Sequence, residues 1–269
     1  ARSFGRPALS MPRHLFSREG EDALAATLAL RPLLAFDFDG TLAPIVARPE
    51  DARVPLPVAR RLDQLARLLP VAIVSGRRID DVRGRLSFEP HHIIGSHGAE
   101  DPLDPQSDTA PARLDAFRSR LRRRAADLDA AGVVVEDKAH SLALHYRLAR
   151  DRERARSLVD ELVSGPDAGL HTFGGKMVMN VVAAGARDKA DAVASLVERF
   201  GVRAAIFLGD DVNDEPVFAR AEPAWLTIKV GRDDPASAAR FCIDGTGEIA
   251  RLLDRMLALL GDPGVAPPR

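Results

Sequence analysis

The sequence predicts an α/β protein, a parallel sheet with helices on both faces, carrying an inserted α+β domain. Three observations lead there. Short apolar runs alternate with amphipathic helical stretches up to about residue 101, and the alternation resumes after Asp188. Between roughly residues 102 and 182 the order changes to a helix, paired strand patterns, a second helix and two more short strands. The apolar runs of the flanking parts also stop abruptly at Asp, Ser or Gly, as buried parallel strands do when they deliver polar residues to a sheet edge.

In chain order, residues 1–17 mix Arg, Pro, Gly and Ser without an apolar stripe and predict a disordered extension. An amphipathic helix over 18–30 precedes the strand Leu33-Leu34-Ala35-Phe36, which ends at Asp37. Leu62, Leu65, Leu68 and Leu69 mark a helix over 60–69. Strands over 71–74 and 92–95 follow, separated by a helix from Ile79. After the insertion come a helix over 189–200, a strand over 204–208, a helix after Asn213, a strand over 225–230 and a last helix over 247–260. The flanks of Cys242 read as another strand with a buried structural thiol. Within the insertion, Leu142, Leu144, Tyr146 and Leu148 alternate with Ser141, Ala143, His145 and Arg147, the signature of a sheet with one buried face. The expected division is therefore a core of 18–101 and 183–262 with an inserted domain of 102–182.

Composition narrows the function. The 269 residues carry a formal net charge of −1, which gives no long-range attraction for nucleic acid or an anionic membrane. No apolar stretch approaches the roughly 20 residues of a membrane span. One cysteine allows no internal disulfide, so a reducing, cytoplasmic setting is expected. The basic stretch Arg118-Ser-Arg-Leu-Arg-Arg-Arg124 lies on a helix with core-spaced Leu114, Phe117, Leu121 and Leu128, and reads as a solvated helix face.

Chemistry concentrates at four strand ends. Asp37-Phe38-Asp39-Gly40-Thr41-Leu42 puts two carboxylates two residues apart at the end of a buried strand, the edge where open α/β sheets bind ligands. Ser75-Gly76-Arg77 offers a hydroxyl, a pliable backbone and a cation. Lys189 opens a helix directly after Asp188, and Gly209-Asp-Asp-Val-Asn-Asp-Glu215 supplies a dense acid cluster. Each alone could be a turn or a helix cap; four in order are hard to reach by chance.

This ordered set resembles the haloacid dehalogenase (HAD) superfamily, and within it Asp39-Gly-Thr-Leu-Ala-Pro44, Ile73-Val-Ser-Gly-Arg77, Gly95-Ser-His-Gly-Ala-Glu100, His145-Tyr-Arg147 and the acidic run are similar to the trehalose-6-phosphate phosphatases. The resemblance implies a Rossmann-like HAD core with a type 2B cap, and a phosphatase acting through an aspartyl-phosphate. Asp37 is then the nucleophile and Asp39 the general acid and base. Mg²⁺ is held by Asp37, the Asp39 carbonyl and Asp210, with Asp211 and Asp214 behind them. Ser75, Lys189 and Thr41 hold the phosphoryl oxygens. Arg77, Gly98, Glu100, Lys138, His145, Arg147, Lys176 and Asn180 are the expected substrate contacts, Tyr146 belongs to the cap core, and His97 is a structural histidine.

The implied partner is a small sugar phosphate, taken by a protein expected to act as a monomer. Asn180 departs from the family, which usually carries a Glu there, so a related glycosyl phosphate such as sucrose phosphate or glucosylglycerol phosphate is the alternative substrate. A silent phosphosugar-binding protein is the reading from another class, and the presence of every core acid and Lys189 weighs against it.

Overall fold

The structure is a computed structural model that describes residues 12–104, 110–164, 169–175, 177–232 and 236–261. In chain order the elements are β1 Arg13–His14, α1 Arg18–Ala29, β2 Leu33–Phe36, α2 Leu56–Ala66, β3 Val71–Val74, α3 Ile79–Arg83 and β4 His92–Ile94. The insertion supplies α4 Ala110–Arg113, α5 Asp115–Arg123, α6 Ala125–Ala131, β5 Val134–Asp137, β6 Ser141–His145, α7 Arg152–Val163, β7 Leu170–Gly175 and β8 Val178–Ala183. The chain then returns through α8 Lys189–Arg199, β9 Ala205–Gly209, α9 Glu215–Arg220, β10 Leu226–Val230, β11 Phe241–Ile243 and α10 Ile249–Leu259.

The core sheet runs β1-β11-β10-β9-β2-β3-β4 and is parallel at each pairing. Alternation along each strand feeds two apolar layers. Leu34, Phe36, Ile73 and Leu208 pack with α1, α2 and α10, while Leu33, Ala35, Val74 and Phe207 pack with α8 and α9. From β2 the chain builds outward through β3 and β4 on one side and through β9, β10 and β11 on the other. The carboxyl end of β2 is therefore the switch point of the sheet, the crevice such folds use for ligands.

The inserted sheet is antiparallel in the order β5-β6-β8-β7. Leu142, Leu144 and Val181 bury one face under α5, α6 and α7. Tyr146 joins that core as expected.

Three expectations need correction. Residues 12–17 are not a disordered extension: Arg13–His14 pairs with β11, Leu15 is fully buried, and Ser17 caps α1 by accepting from the Gly20 amide. A two-residue strand carries too little periodicity to be read in sequence. Residues 1–11 lie outside the described residues. The single basic helix expected near 111–131 is three short helices, broken at Leu114 and Arg124, and Arg124 leaves helical geometry at φ −107° and ψ 15°. Leu148 is not on the buried face; β6 ends at His145 and Leu148 is exposed in the turn that follows.

Three arginines of the basic stretch are held within the inserted domain. Arg118 pairs with Asp115 and Asp137, Arg120 donates to the Leu162 carbonyl, and Arg124 pairs with Asp127 and Glu161. Among the described residues no helix is long and apolar enough to cross a membrane.

Candidate active site

Asp37 sits one residue beyond β2 and is buried, with its amide bonded to the Leu208 carbonyl at 2.9 Å. The parallel partner β9 carries the acidic run to the same edge. Lys189 reaches it from the first position of α8, whose N-cap Asp188 accepts from the Ala190 and Asp191 amides and so fixes where the helix starts. The lysine nitrogen lies 2.8 Å from Asp37 Oδ1 and 2.7 Å from Asp214 Oδ1. Asp214 is fully buried, and its other oxygen accepts from the amides of Asp210 and Asp211. One oxygen of Asp214 thus holds Lys189 and the other orients the loop.

Charge balance here is unequal. Asp37, Asp210 and Asp214 present carboxylate oxygens within 4.8 Å of one another. Burial is the largest influence on the Asp37 carboxyl and raises its pKa well above the usual range; Lys189 opposes that, while Asp214 and Asp210 add repulsion. Burial alone would lower the Lys189 ammonium, but Asp214 and Asp37 outweigh it and hold it charged. Three buried carboxylates exceed what this lysine can neutralise.

An all-oxygen donor set with excess negative charge fits a hard divalent cation. Gly40 gives the same indication: with φ +78° it lies so close to Asp210 that a Cβ there would fall 2.1 Å from Asp210 Oδ2. Only glycine leaves that carboxylate its position.

The second acid is held differently. Arg77 grips Asp39 with two parallel bonds, Nε to Oδ2 at 2.7 Å and Nη2 to Oδ1 at 2.8 Å. The same guanidinium donates to Asp81 Oδ2 and the Pro49 carbonyl, and lies 5.4 Å from the Phe38 ring centre. Expected as a substrate contact, Arg77 is found fully engaged by the protein.

Ser75 is completely buried at the end of β3, with Oγ accepting from the Arg77 amide. Thr41 Oγ1 is buried and has no hydrogen-bond partner among the described residues, which leaves it a donor to spare. Lys229 was not anticipated: buried in β10, it donates to the Asp210 carbonyl at 2.7 Å. A lone lysine inside Leu226-Thr-Ile-Lys-Val230 is the signal that could have revealed it.

The remaining expected contacts separate into two groups. Gly98, at φ +111°, packs where a Cβ would be 2.4 Å from the Asp188 carbonyl oxygen, and Glu100 accepts from the Ile79 amide and the Ser96 hydroxyl. Both shape the core loop. His97 beside them is buried at φ +60° and meets the Phe173 ring edge-on at 5.0 Å; burial, then Lys189 and Lys138, hold it neutral. On the cap, Lys138 donates to the core carbonyl of Gly76 at 3.1 Å, His145 bonds Glu136 at 3.0 Å, and Asn180 is buried on β8. Arg147 lies in the exposed turn after β6, its carbonyl accepting from Arg152. Lys176 lies outside the described residues.

A family model described as trehalose-phosphatase matches residues 35–238. The chain belongs to that family. It is 37% identical over 253 residues to a probable trehalose-phosphate phosphatase of Sinorhizobium fredii, covering 90% of this chain and 94% of the relative. It is 34% identical over 250 residues to a trehalose-phosphate phosphatase of Mycobacterium marinum, covering 87% of this chain and 63% of the relative. A Mycobacterium tuberculosis protein described as an uncharacterized glycosyl hydrolase is 34% identical over 84% of this chain, which spans only 18% of that relative's length. Among solved structures, a trehalose-6-phosphate phosphatase related protein superposes with a TM-score of 0.68 at 25% identity, covering 84% of this chain and 98% of its own. The C-terminal domain of the Candida albicans trehalose-6-phosphate phosphatase does so at 0.67 and 20% identity, covering 94% and 99%.

Trehalose-phosphatase membership and the HAD fold thus agree with the architecture of a parallel core and an antiparallel cap.

Proposed function

We propose that the protein is a Mg²⁺-dependent phosphatase that hydrolyses trehalose 6-phosphate to trehalose and phosphate through an aspartyl-phosphate on Asp37. The observation that carries this reading is the buried Asp37 carboxylate at the sheet's switch point, faced by Lys189 and ringed by Asp210 and Asp214. Family membership supports the sugar. A monomer working in the cytoplasm completes the reading, which the near-neutral charge of −1 suits.

In the first half-reaction an Asp37 oxygen forms a bond to phosphorus as the bond to the sugar oxygen breaks. Asp39 gives its proton to that departing oxygen, for which its carboxylate turns out of the Arg77 grip. In the second half Asp39 takes a proton from water, the hydroxide attacks phosphorus, and Asp37 leaves as a carboxylate. Lys189, Ser75 and Thr41 face the phosphoryl oxygens and balance their charge. Asp37, the Asp39 carbonyl and Asp210 would hold Mg²⁺, which supplies the positive charge that lets an anionic ester approach an anionic nucleophile. Lys138, bridging cap to core, keeps the cap over the leaving group and limits water.

The test is phosphate release from trehalose 6-phosphate, sucrose 6-phosphate, glucosylglycerol phosphate, glucose 6-phosphate and p-nitrophenyl phosphate. Trehalose 6-phosphate should be preferred by about a hundredfold in kcat/KM, EDTA should abolish release, and Mg²⁺ should restore it. Preference for another sugar would keep the chemistry and move attention to Asn180. No release from any ester would end the enzyme reading.

A further inference from the structure

Lys229 is out of character with its surroundings. It stands in β10 among Leu226, Thr227, Ile228 and Val230, all buried, with β9 on one side and β11 on the other, and it is 3% exposed. Its one hydrogen bond among the described residues runs from Nζ to the Asp210 carbonyl, at 2.7 Å. Burying an ammonium is costly, and the usual compensation is a carboxylate. A carbonyl compensates less. A charge kept inside the core on such terms is explained by what it holds in place.

Strand register shows how Lys229 reaches that carbonyl. Ile228 is level with Leu208, and Lys229 with Gly209. Leu208 and Ile228 turn toward α1, α2 and α10, so Lys229 rises on the opposite face, the side of α8 and α9. There Gly209 has no side chain and the Asp214 carboxylate fills its place: a Cβ on Gly209 would lie 2.4 Å from Asp214 Cγ. From this face two side chains grip the backbone of Asp210. Asp214 Oδ2 accepts from its amide at 2.9 Å, and Lys229 donates to its carbonyl. Gly40 bounds the side chain, since a Cβ there would fall 2.1 Å from Asp210 Oδ2. Amide, carbonyl and carboxylate of one residue are thus each fixed by a different part of the chain.

We propose that Lys229 is a positioning residue of the cation site, holding the Asp210 carbonyl toward β10 so that the Asp210 carboxylate stays beside those of Asp37 and Asp214. This rests on the Mg²⁺ part of the proposed function. With its backbone held, Asp210 has little freedom left to lose when an ion arrives, which is how a residue behind the ligands strengthens their grip. The sign of the effect separates this role from plain electrostatics. Lys229 is itself a cation, and taking a positive charge away from the neighbourhood of an ion strengthens the binding of that ion. Loss of orientation weakens it. A variant without the ammonium binds Mg²⁺ more weakly only where positioning outweighs charge.

The experiment titrates Mg²⁺ alone into the full chain by calorimetry, comparing the unmutated protein with Lys229→Met, and follows urea unfolding of both in EDTA. Lys229→Met should weaken Mg²⁺ binding about tenfold to a hundredfold. Its urea midpoint in EDTA should match or exceed that of the parent, because an apolar side chain of similar length replaces a buried ammonium. Raising Mg²⁺ should bring kcat for trehalose 6-phosphate back toward the parent value, a recovery that a damaged fold would not give. Lys229→Arg, which keeps a charged donor, should regain part of the lost affinity. Mg²⁺ affinity in Lys229→Met equal to or above that of the parent would overturn the inference. So would a lowered urea midpoint in EDTA or a failure to fold, either of which would make Lys229 a structural residue. Absence of Mg²⁺ uptake by the unmutated chain is a separate signal: it would overturn the cation reading itself, and this inference with it.

Discussion

The two walls of the cleft carry their polar groups in opposite ways. On the core side Asp37, Lys189 and Asp214 are buried, and the lysine and Asp214 spend their hydrogen bonds on one another and on loop amides. On the cap side Glu136 and His145 stand half in solvent, each touching a single neighbouring strand. Burial makes the first set strong and brittle, because an uncompensated charge inside a protein is costly. Exposure makes the second cheap to alter. On the proposed function, chemistry is kept where change is punished, and recognition where it is tolerated.

The contrast can be broken most forcefully at its centre. Asp37→Asn should reduce phosphate release by about 10³-fold or more, since no neighbouring oxygen occupies the same point. Next comes Lys189→Met, which removes the ammonium that bonds both Asp37 and Asp214. Urea unfolding should show a loss of about 3–5 kcal/mol, alongside a severe loss of activity. If stability is unchanged, the claim that the core wall is brittle fails.

At the margin between the walls, Arg77→Lys keeps the charge and loses the two-pronged grip on Asp39. A fall of about tenfold in kcat with little change in KM is expected, read from steady-state kinetics. A rise confined to KM would return Arg77 to the substrate contacts. The smallest effect lies on the cap. Because the folded Glu136 carboxyl titrates below its unfolded value of about 4.3, the stability it adds is present at neutral pH. It disappears as pH falls through the ordinary carboxylate range. Glu136→Gln should therefore cost under about 1 kcal/mol near pH 7, a cost that shrinks as the medium is acidified, as measured by paired thermal melts.

The same contrast explains what could be read from sequence. Asp37, Ser75 and Asp210 each stand at the end of a buried apolar run and Lys189 at the start of a helix, so the pattern itself points to them, and the structure brings them to one edge. Lys229 escaped because its meaning depends on which strand lies beside it. The placement of Glu136 was hidden in the same way: in sequence it is one more acid beside Asp137, and its register partner Ala143 is known only from the fold. Arg77 shows the reverse case, a cation expected as a ligand's partner that the structure pairs with Asp39 and Asp81. Leu148 failed because alternation carries no mark of where a strand stops.

The contact between Gly98 and Asp188 has a mechanical meaning. These residues flank the insertion, one on the way out of the core and one on the way back, and their backbones touch. The chain therefore leaves and rejoins the core at neighbouring points instead of at two separated supports. An insertion joined in this way adds its fold at one point of the frame and leaves the strand order of the core sheet uninterrupted.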